Sequence, residues 1–154
     1  MYEKELQRIL TASQNNALTF FVGAGVSALS GAPTWKGLIH AISDRLGQAR
    51  KDEYSSDEYL QIPQMFYYSL GENKEEYYTF VKAQLHSSPM LPNVIHREML
   101  NLNPVSFITT NYDTLLEDAA VQYCQSFKVV SRDEDVPTIF GDRFILKLHG
   151  DFKH

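Results

Sequence analysis

Short apolar runs alternate along the chain with longer stretches in which apolar residues recur at helical spacing. The short runs, rich in β-branched and aromatic residues, predict strands over residues 18–22, 105–109, 126–130 and 143–148. The longer stretches predict helices over residues 2–15, 34–47, 60–70, 74–86, 93–102 and 114–123. This alternation predicts an α/β fold, a Rossmann-like, mainly parallel sheet with helices on both faces.

The helical segment between the first two predicted strands is too long for an ordinary crossover connection. We therefore expect one domain over residues 1–154, in which residues 57–103 form a helical insertion or small lobe. Sheets of this class commonly have about five to six strands, whereas the pattern predicts only four. We accordingly expect the N-terminal part of a longer protein, with a sheet that is incomplete at the C-terminus of the chain.

The connecting segments are polar. Charged residues concentrate in residues 48–58, which predicts a solvated loop, and residues 132–141 predict a loop containing a short turn of helix. Thr114 and Glu117 have the spacing of a capping box at the start of the last predicted helix.

Composition narrows the class of protein. The 154 residues are 44% hydrophobic, enough for one buried core, and the net charge of −5 without any basic run argues against nucleic acid as a partner. No apolar stretch of about 18 residues and no leader peptide is visible, which argues against a membrane span or a signal peptide. Cys124 is the only cysteine, so the chain forms no internal disulfide and no cysteine-rich zinc site. A reducing, cytoplasmic setting is expected.

Two glycines follow the first predicted strand, in the sequence Gly-Ala-Gly-Val-Ser of residues 23–27. Gly23 and Gly25 would let the backbone turn sharply and let a ligand approach main-chain atoms that a Cβ would shield. A strand that ends in a glycine turn is how doubly wound folds bind a pyrophosphate, although Ala28 stands where the full fingerprint has its third glycine. An ordinary tight turn is the alternative.

Polar motifs also follow the second and fourth predicted strands, namely Thr-Asn-Tyr-Asp at residues 110–113 and His149-Gly150. Because the carboxyl ends of parallel strands share one edge of a sheet, these motifs and the glycine turn are expected to meet there. An imidazole at that edge can take up a proton near neutral pH. Asn111 and Asp113 have a second interpretation, as caps of the following helix.

These motifs, together with Ser-Gly-Ala-Pro at residues 30–33 and Trp35, resemble in their order the signature of the sirtuin (SIR2) superfamily. The resemblance is closer to the SIR2-like NAD hydrolases of bacterial antiphage defence proteins than to the protein deacetylases. The Gly-x-Pro-x-Trp-x-x-Leu run of residues 31–38 and the spelling Thr-Asn-Tyr-Asp both favour the hydrolases. Deacetylases usually carry four zinc-binding cysteines after the His-Gly motif, and they tend to have Phe-Arg where Trp35 and Lys36 stand here.

The resemblance implies a role for each matched residue. Asn111 would hold the reacting ribose and a water molecule, and His149 would act as a general base. Asp113 would bind the nicotinamide amide or support its loop, and Pro33 and Trp35 would border the nicotinamide. For Trp35, a place in the core is the alternative that its position in the sequence leaves open. The residues expected to bind the cofactor are Gly23, Ala24, Gly25, Ser27, Pro33, Trp35, Thr110 and Asp113.

The implied function is hydrolysis of NAD to ADP-ribose and nicotinamide, with NAD as the substrate and no metal. Two alternatives remain, an NAD-dependent protein deacylase and a non-catalytic module that binds NAD or ADP-ribose. Residues 1–154 alone are expected to bind NAD weakly or not at all and to be largely inactive. Homo-oligomers and defence-system partner proteins are both compatible with the resemblance.

Overall fold

The computed structural model describes residues 2–85 and 89–151. The chain divides into two compact units, one formed by Met1–Ser30 with Met90–His154 and the other by Gly31–Pro89. The first unit contains the sheet, and the second is helical.

Four parallel strands form the sheet of the first unit, in the order β1-β2-β4-β3. Their bounds are Thr19–Val22 for β1, Ser106–Thr109 for β2, Lys128–Val130 for β3 and Phe144–Lys147 for β4. All four predicted strands are present, each one or two residues shorter than predicted. The predicted Rossmann-like α/β class with a parallel sheet is confirmed.

Seven α-helices and one 3₁₀ helix complete the described fold. They are α1 (Glu3–Gln14), α2 (Ala24–Ala28), α3 (Trp35–Arg45), α4 (Ser56–Ser69), α5 (Lys74–Leu85), α6 (Val94–Asn101), α7 (Leu115–Gln122) and the 3₁₀ helix Asp133–Ile139. Helices α2 to α6 lie between the first two strands, in agreement with the predicted fold class. That residues 57–103 form one insertion or lobe stays a prediction. The predicted turn of helix within residues 132–141 is the 3₁₀ helix.

Two local expectations are wrong. Residues 48–58 are not loop throughout, because Ser55 accepts a hydrogen bond from the Glu58 amide while the Glu58 carboxylate accepts one from the Ser55 amide, which begins α4 at Ser56. The segment after β1 forms a short helix, α2. The sequence did not indicate this helix, because glycine has a low helix propensity and two of these residues are glycines.

The core of the first unit lies on one face of the sheet. Phe107 stands between Phe20 and Ile145 in the parallel register, and its ring centroid is 5.8 Å from that of Phe20 and 5.3 Å from that of Phe127. The buried cluster consists of Val22, Met99, Leu100, Phe107, Leu116, Ala119 and Ile145. Since side chains alternate along a strand, Val22, Thr109 and Lys147 lie on this same face, one pleat further towards the carboxyl ends.

The second unit has a core of its own. It is built from Leu38, Ile39, Ile42, Ile62, Phe66 and Val81 on helices α3, α4 and α5. The Phe66 ring lies 4.7 Å from that of Phe80 and 5.8 Å from that of Tyr77, measured between centroids. These three aromatic residues therefore serve packing between α4 and α5. Within the described residues, no helix combines the length and apolar character needed to cross a bilayer.

Candidate functional site

The carboxyl ends of β1, β2 and β4 lie side by side. Val22, Thr109 and Lys147 are the last residues of these strands, and they are neighbours in the register. The segments that follow, residues 23–27, 110–114 and 148–150, consequently leave the sheet at the same edge. The structure thus brings three of the predicted motifs together, because adjacent parallel strands end at a common edge.

The glycines of the first motif have an unexpected conformation. Gly23 has φ −109° and ψ 179°, an extended backbone that any residue adopts, and Gly25 lies in helix α2. Neither has a positive φ, and a Cβ built on either would meet nothing within 4 Å. The chain does turn sharply, since only Gly23 separates β1 from α2, but the turn does not require the positive φ that glycine adopts most readily. What they provide is an open stretch of main chain at the edge of the sheet.

Asn111 joins the second motif to the first. Its Nδ2 donates a hydrogen bond to Ser27 Oγ at 2.9 Å, and Ser27 is buried. The Asn111 amide donates to Thr109 Oγ1 at 3.0 Å, while that hydroxyl donates to the Val22 carbonyl at 2.9 Å. One buried threonine hydroxyl thus connects the end of β1 with the backbone of Asn111.

Asp113, and not Thr114, caps helix α7. Asp113 Oδ1 accepts a hydrogen bond from the Leu115 amide at 3.1 Å, whereas the Thr114 hydroxyl donates to Asp118 Oδ2 at 2.9 Å. The capping box predicted for Thr114 and Glu117 is therefore wrong. The Asp113 side chain carries out the capping role that sequence reasoning had left open.

Asn93 supports the glycine turn from the other side, and sequence reasoning missed it. Its Nδ2 donates to the Val26 carbonyl and to Ser30 Oγ, both at 2.8 Å, while its Oδ1 accepts from the Ile95 amide at the start of α6. An asparagine that precedes a helical run indicates an N-cap. The bond to a carbonyl 67 residues away has no local signal.

His96 is buried behind Asn93. Its Nδ1 accepts a hydrogen bond from the Asn93 amide at 3.1 Å. Burial lowers the pKa of His96 below its ordinary value, and the Asp113 carboxylate opposes this effect. The ring is accordingly neutral at physiological pH, as an acceptor at Nδ1 requires.

His149 is exposed at the carboxyl edge. Its ring centroid lies 6.0 Å from that of Tyr112, so the third motif contacts the second. Gly150 has φ +73° and donates its amide to the Lys147 carbonyl at 3.0 Å. Unlike Gly23 and Gly25, this glycine is required by the backbone, because L-residues rarely adopt that region.

Pro33 and Trp35 belong to the second unit. Trp35 is the first residue of α3, whose N-cap Thr34 accepts a hydrogen bond from the Gly37 amide at 3.1 Å. The Trp35 side chain is 52% exposed, so the alternative in which it belongs to the core is wrong. Pro33 is half-buried, as is Thr110 in the first unit.

The electrostatic character of the edge comes from a few polar groups. Along residues 2–85 and 89–151, no group of three or more His, Cys, Asp or Glu side chains is arranged to hold a metal ion. What the edge offers instead is amide and hydroxyl groups, an exposed imidazole and an open main chain. Such groups suit a polar organic ligand with phosphate and hydroxyl substituents.

Comparison with known proteins agrees with this picture. Residues 105–154 match the family model described as a SIR2-like domain. Over 149 residues, 96% of the chain, it is 41% identical to Defense-associated sirtuin 2 of Bacillus subtilis, of which it covers 14%. It is 26% identical over 150 residues to NAD(+) hydrolase ThsA of Cytobacillus dafuensis, of which it covers 29%.

A more distant similarity leads to the deacetylases. The chain is 32% identical over 127 residues to an NAD-dependent protein deacetylase of Staphylococcus epidermidis, with 77% of the chain and 47% of that protein covered. The chain therefore spans less than half of the length of each of these three relatives. The ordered motifs at one sheet edge, the family model matched by residues 105–154 and these relatives identify a SIR2-like domain, the domain of the sirtuin superfamily, in this chain.

Proposed function

We propose that the complete protein containing this chain hydrolyses NAD to ADP-ribose and nicotinamide and acts in bacterial antiphage defence. The observation that carries the proposal is the hydrogen bond between Asn111 and Ser27, which fixes an amide side chain beside the open glycine main chain. His149 stands at the same edge of the sheet. The names of two relatives, an NAD(+) hydrolase and a defence-associated sirtuin, favour this chemistry and this setting.

The first motif is proposed to bind the phosphates of NAD. Gly23 and Gly25, on either side of Ala24, have no side chain, and the space where a Cβ would stand on each glycine is open. Phosphate oxygens accept hydrogen bonds from main-chain amides at such sites. Ser27 is proposed to orient Asn111 rather than to bind phosphate alone, since its hydroxyl accepts a hydrogen bond from Asn111 Nδ2.

Asn111 is proposed to hold the reacting ribose and the attacking water. With its Nδ2 engaged by Ser27, its Oδ1 is oriented to accept a hydrogen bond from a ribose hydroxyl or from water. Thr110 lies next to it and is proposed to contact the cofactor. Asp113 supports the loop by its bond to Leu115, and a contact with the nicotinamide amide is a further part of the proposal.

The reaction suits these groups. Nicotinamide leaves NAD as a neutral molecule, so the leaving group needs no general acid. The site has to favour a ribose with oxocarbenium character and to place water behind it. His149 is proposed to accept the proton of that water or of a ribose hydroxyl.

The decisive experiment measures nicotinamide release from NAD by the complete protein. Asn111→Ala and His149→Ala are each expected to abolish release while the circular dichroism spectrum is retained. Asn101→Ala, at the exposed end of α6, is the matched control and is expected to keep full activity. Undiminished release by both site variants would exclude the proposed site, and NAD-dependent removal of acyl groups from a peptide would instead assign a deacylase.

A further inference from the structure

The loop that carries Asn111 contacts a buried lysine. This loop, residues 110–114, connects β2 with α7. Lys147 is the last residue of β4, stands beside Thr109 in the register, and has a side chain that is 0% exposed. It lies on the core face of the sheet, where the neighbouring buried positions are mostly apolar.

The Lys147 ammonium donates to three oxygens. Its Nζ lies 2.7 Å from the Asp113 carbonyl, 3.4 Å from the Tyr112 carbonyl and 3.0 Å from Glu117 Oε1. A lysine ammonium has three N–H groups, so these partners use its whole donor capacity. Lys147 therefore acts on the protein and not on a bound ligand.

A charge at this position is costly. Lysine is almost never fully buried unless it is paired, because an ammonium loses its hydration on burial. Glu117, in the first turn of α7 and 19% exposed, provides the opposite charge. An apolar side chain of similar volume would pack there without that penalty. The distinctive contribution of Lys147 is thus the pair of bonds to loop carbonyls.

Those bonds act next to Asn111. Tyr112 and Asp113 directly follow it in the chain, while on its other side the Asn111 amide is bonded to Thr109 Oγ1 at 3.0 Å. The Asn111 backbone is therefore held from both directions. From this position the Asn111 side chain donates its hydrogen bond to Ser27 Oγ.

We propose that Lys147 is a positioning residue, which holds the loop so that Asn111 faces the reacting ribose. The proposal rests on the proposed function, in which Asn111 acts on that ribose. Displacement of a catalytic group by about 1 Å can lower a rate by roughly 100-fold. The phosphates of NAD are proposed to bind the first motif, and the three bonds of Lys147 go to Tyr112, Asp113 and Glu117, so NAD affinity is expected to change little.

Two variants of the complete protein separate positioning from packing. Lys147→Met keeps the volume and removes all three donors, whereas Glu117→Gln keeps an acceptor for the ammonium and removes only the opposite charge. Lys128→Met is the matched control, because it makes the same substitution at an exposed lysine. The Nζ of Lys128 lies 2.6 Å from Oδ2 of the exposed Asp142. Steady-state kinetics of nicotinamide release give kcat and KM, and hydrogen exchange measured by mass spectrometry reports the amides of residues 110–114.

For Lys147→Met we expect kcat to fall by roughly 100-fold with KM for NAD changed less than about threefold. Glu117→Gln should show the same split with a smaller fall, and Lys128→Met should match the wild type. Exchange should accelerate in residues 110–114 and stay unchanged in β1 and β4. Glu117→Gln keeps the test informative if Lys147→Met does not fold.

The proposal is overturned if folded Lys147→Met retains the wild-type kcat, or if exchange accelerates equally throughout the sheet, which would indicate a role in stability alone. If the wild-type protein releases no nicotinamide from NAD, the proposed function fails. The hydrogen-exchange measurement then decides by itself whether Lys147 holds the loop of residues 110–114. Local acceleration in residues 110–114 would then support Lys147 as the anchor of this loop, and its absence would reject it.

Discussion

Replacing Gly25 with alanine should separate the stability of the fold from the binding of NAD. Gly25 has helical conformation within α2, lacks a positive φ, and has open space where a Cβ would stand. Glycine within a helix is about 0.5–1 kcal/mol less favourable than alanine. The variant is therefore expected to raise the free energy of unfolding by up to about 1 kcal/mol, since no clash or strain offsets the gain.

The same methyl group should weaken NAD binding. If a phosphate oxygen of NAD approaches this main chain, the new Cβ occupies part of its path and disrupts a hydrogen bond to a charged group. Such a bond contributes about 2 kcal/mol, which corresponds to a roughly 30-fold increase in Kd. Stability and affinity should thus change in opposite directions, a combination that damage to the fold cannot produce.

Two assays test this expectation. Urea denaturation of the 154-residue chain gives the free energy of unfolding, and titration calorimetry on the complete protein gives Kd for NAD. Gly141→Ala is the matched control, because Gly141 has φ +77° and precedes the amino end of β4, whereas the candidate site lies at the carboxyl ends of the strands. It should lower stability by about 1 kcal/mol or more and leave Kd unchanged. A Gly25→Ala variant that is destabilised, or that binds NAD as the wild type does, would refute the reasoning.

Two further predictions concern the groups behind the edge. Thr109→Val removes the hydroxyl that bonds Val22 and Asn111, and should lower the free energy of unfolding by about 2 kcal/mol, at about 1 kcal/mol per hydrogen bond. Urea denaturation measures this loss, and Thr109→Ser is the control because it should retain both bonds. Equal losses in the two variants would contradict this account. Because burial lowers the pKa of His96, the unfolded chain binds a proton that the folded chain does not as the pH falls below the ordinary value of 6.5. The free energy of unfolding should therefore decrease below that pH and level off beneath the pKa of His96 in the folded protein. Denaturation midpoints measured from pH 5 to 8 should show this dependence in the wild type and lose it in His96→Gln. An unaltered pH profile in His96→Gln would reject this explanation.

Local patterns predicted the elements of the fold well, because periodicity records which side of each segment faces a core. They failed where two local signals competed. Residues 48–58 carry many charges, and that signal concealed the capping pair of Ser55 and Glu58. Likewise, the spacing of Thr114 and Glu117 suggested a capping box, but the Glu117 carboxylate bonds Lys147 and Asp113 caps the helix. A distant partner, Lys147, thus decided the role of Glu117, whereas the bond from Leu115 to Asp113 is local.

The candidate site shows the same division. That residues 23–27, 110–113 and 149–150 share an edge was predictable, since parallel strands end together. The link from Asn111 to Ser27 was not, because it joins residues 84 positions apart. The support of the turn by Asn93 also depends on contacts across the fold.

The amino-acid sequence by itself determined the α/β class and the order of the elements, which follow from local periodicity. It also contained the residue runs that resemble the sirtuin superfamily, and the direction of parallel strands determined the edge at which they meet. Only the tertiary structure decided the strand order β1-β2-β4-β3, the open space beside Gly23 and Gly25, and the burial of the Lys147 ammonium under the Asn111 loop. The physical reason is that strand neighbours, free volume and the pairing of a buried charge are properties of segments brought together from distant parts of the chain, which no single segment encodes.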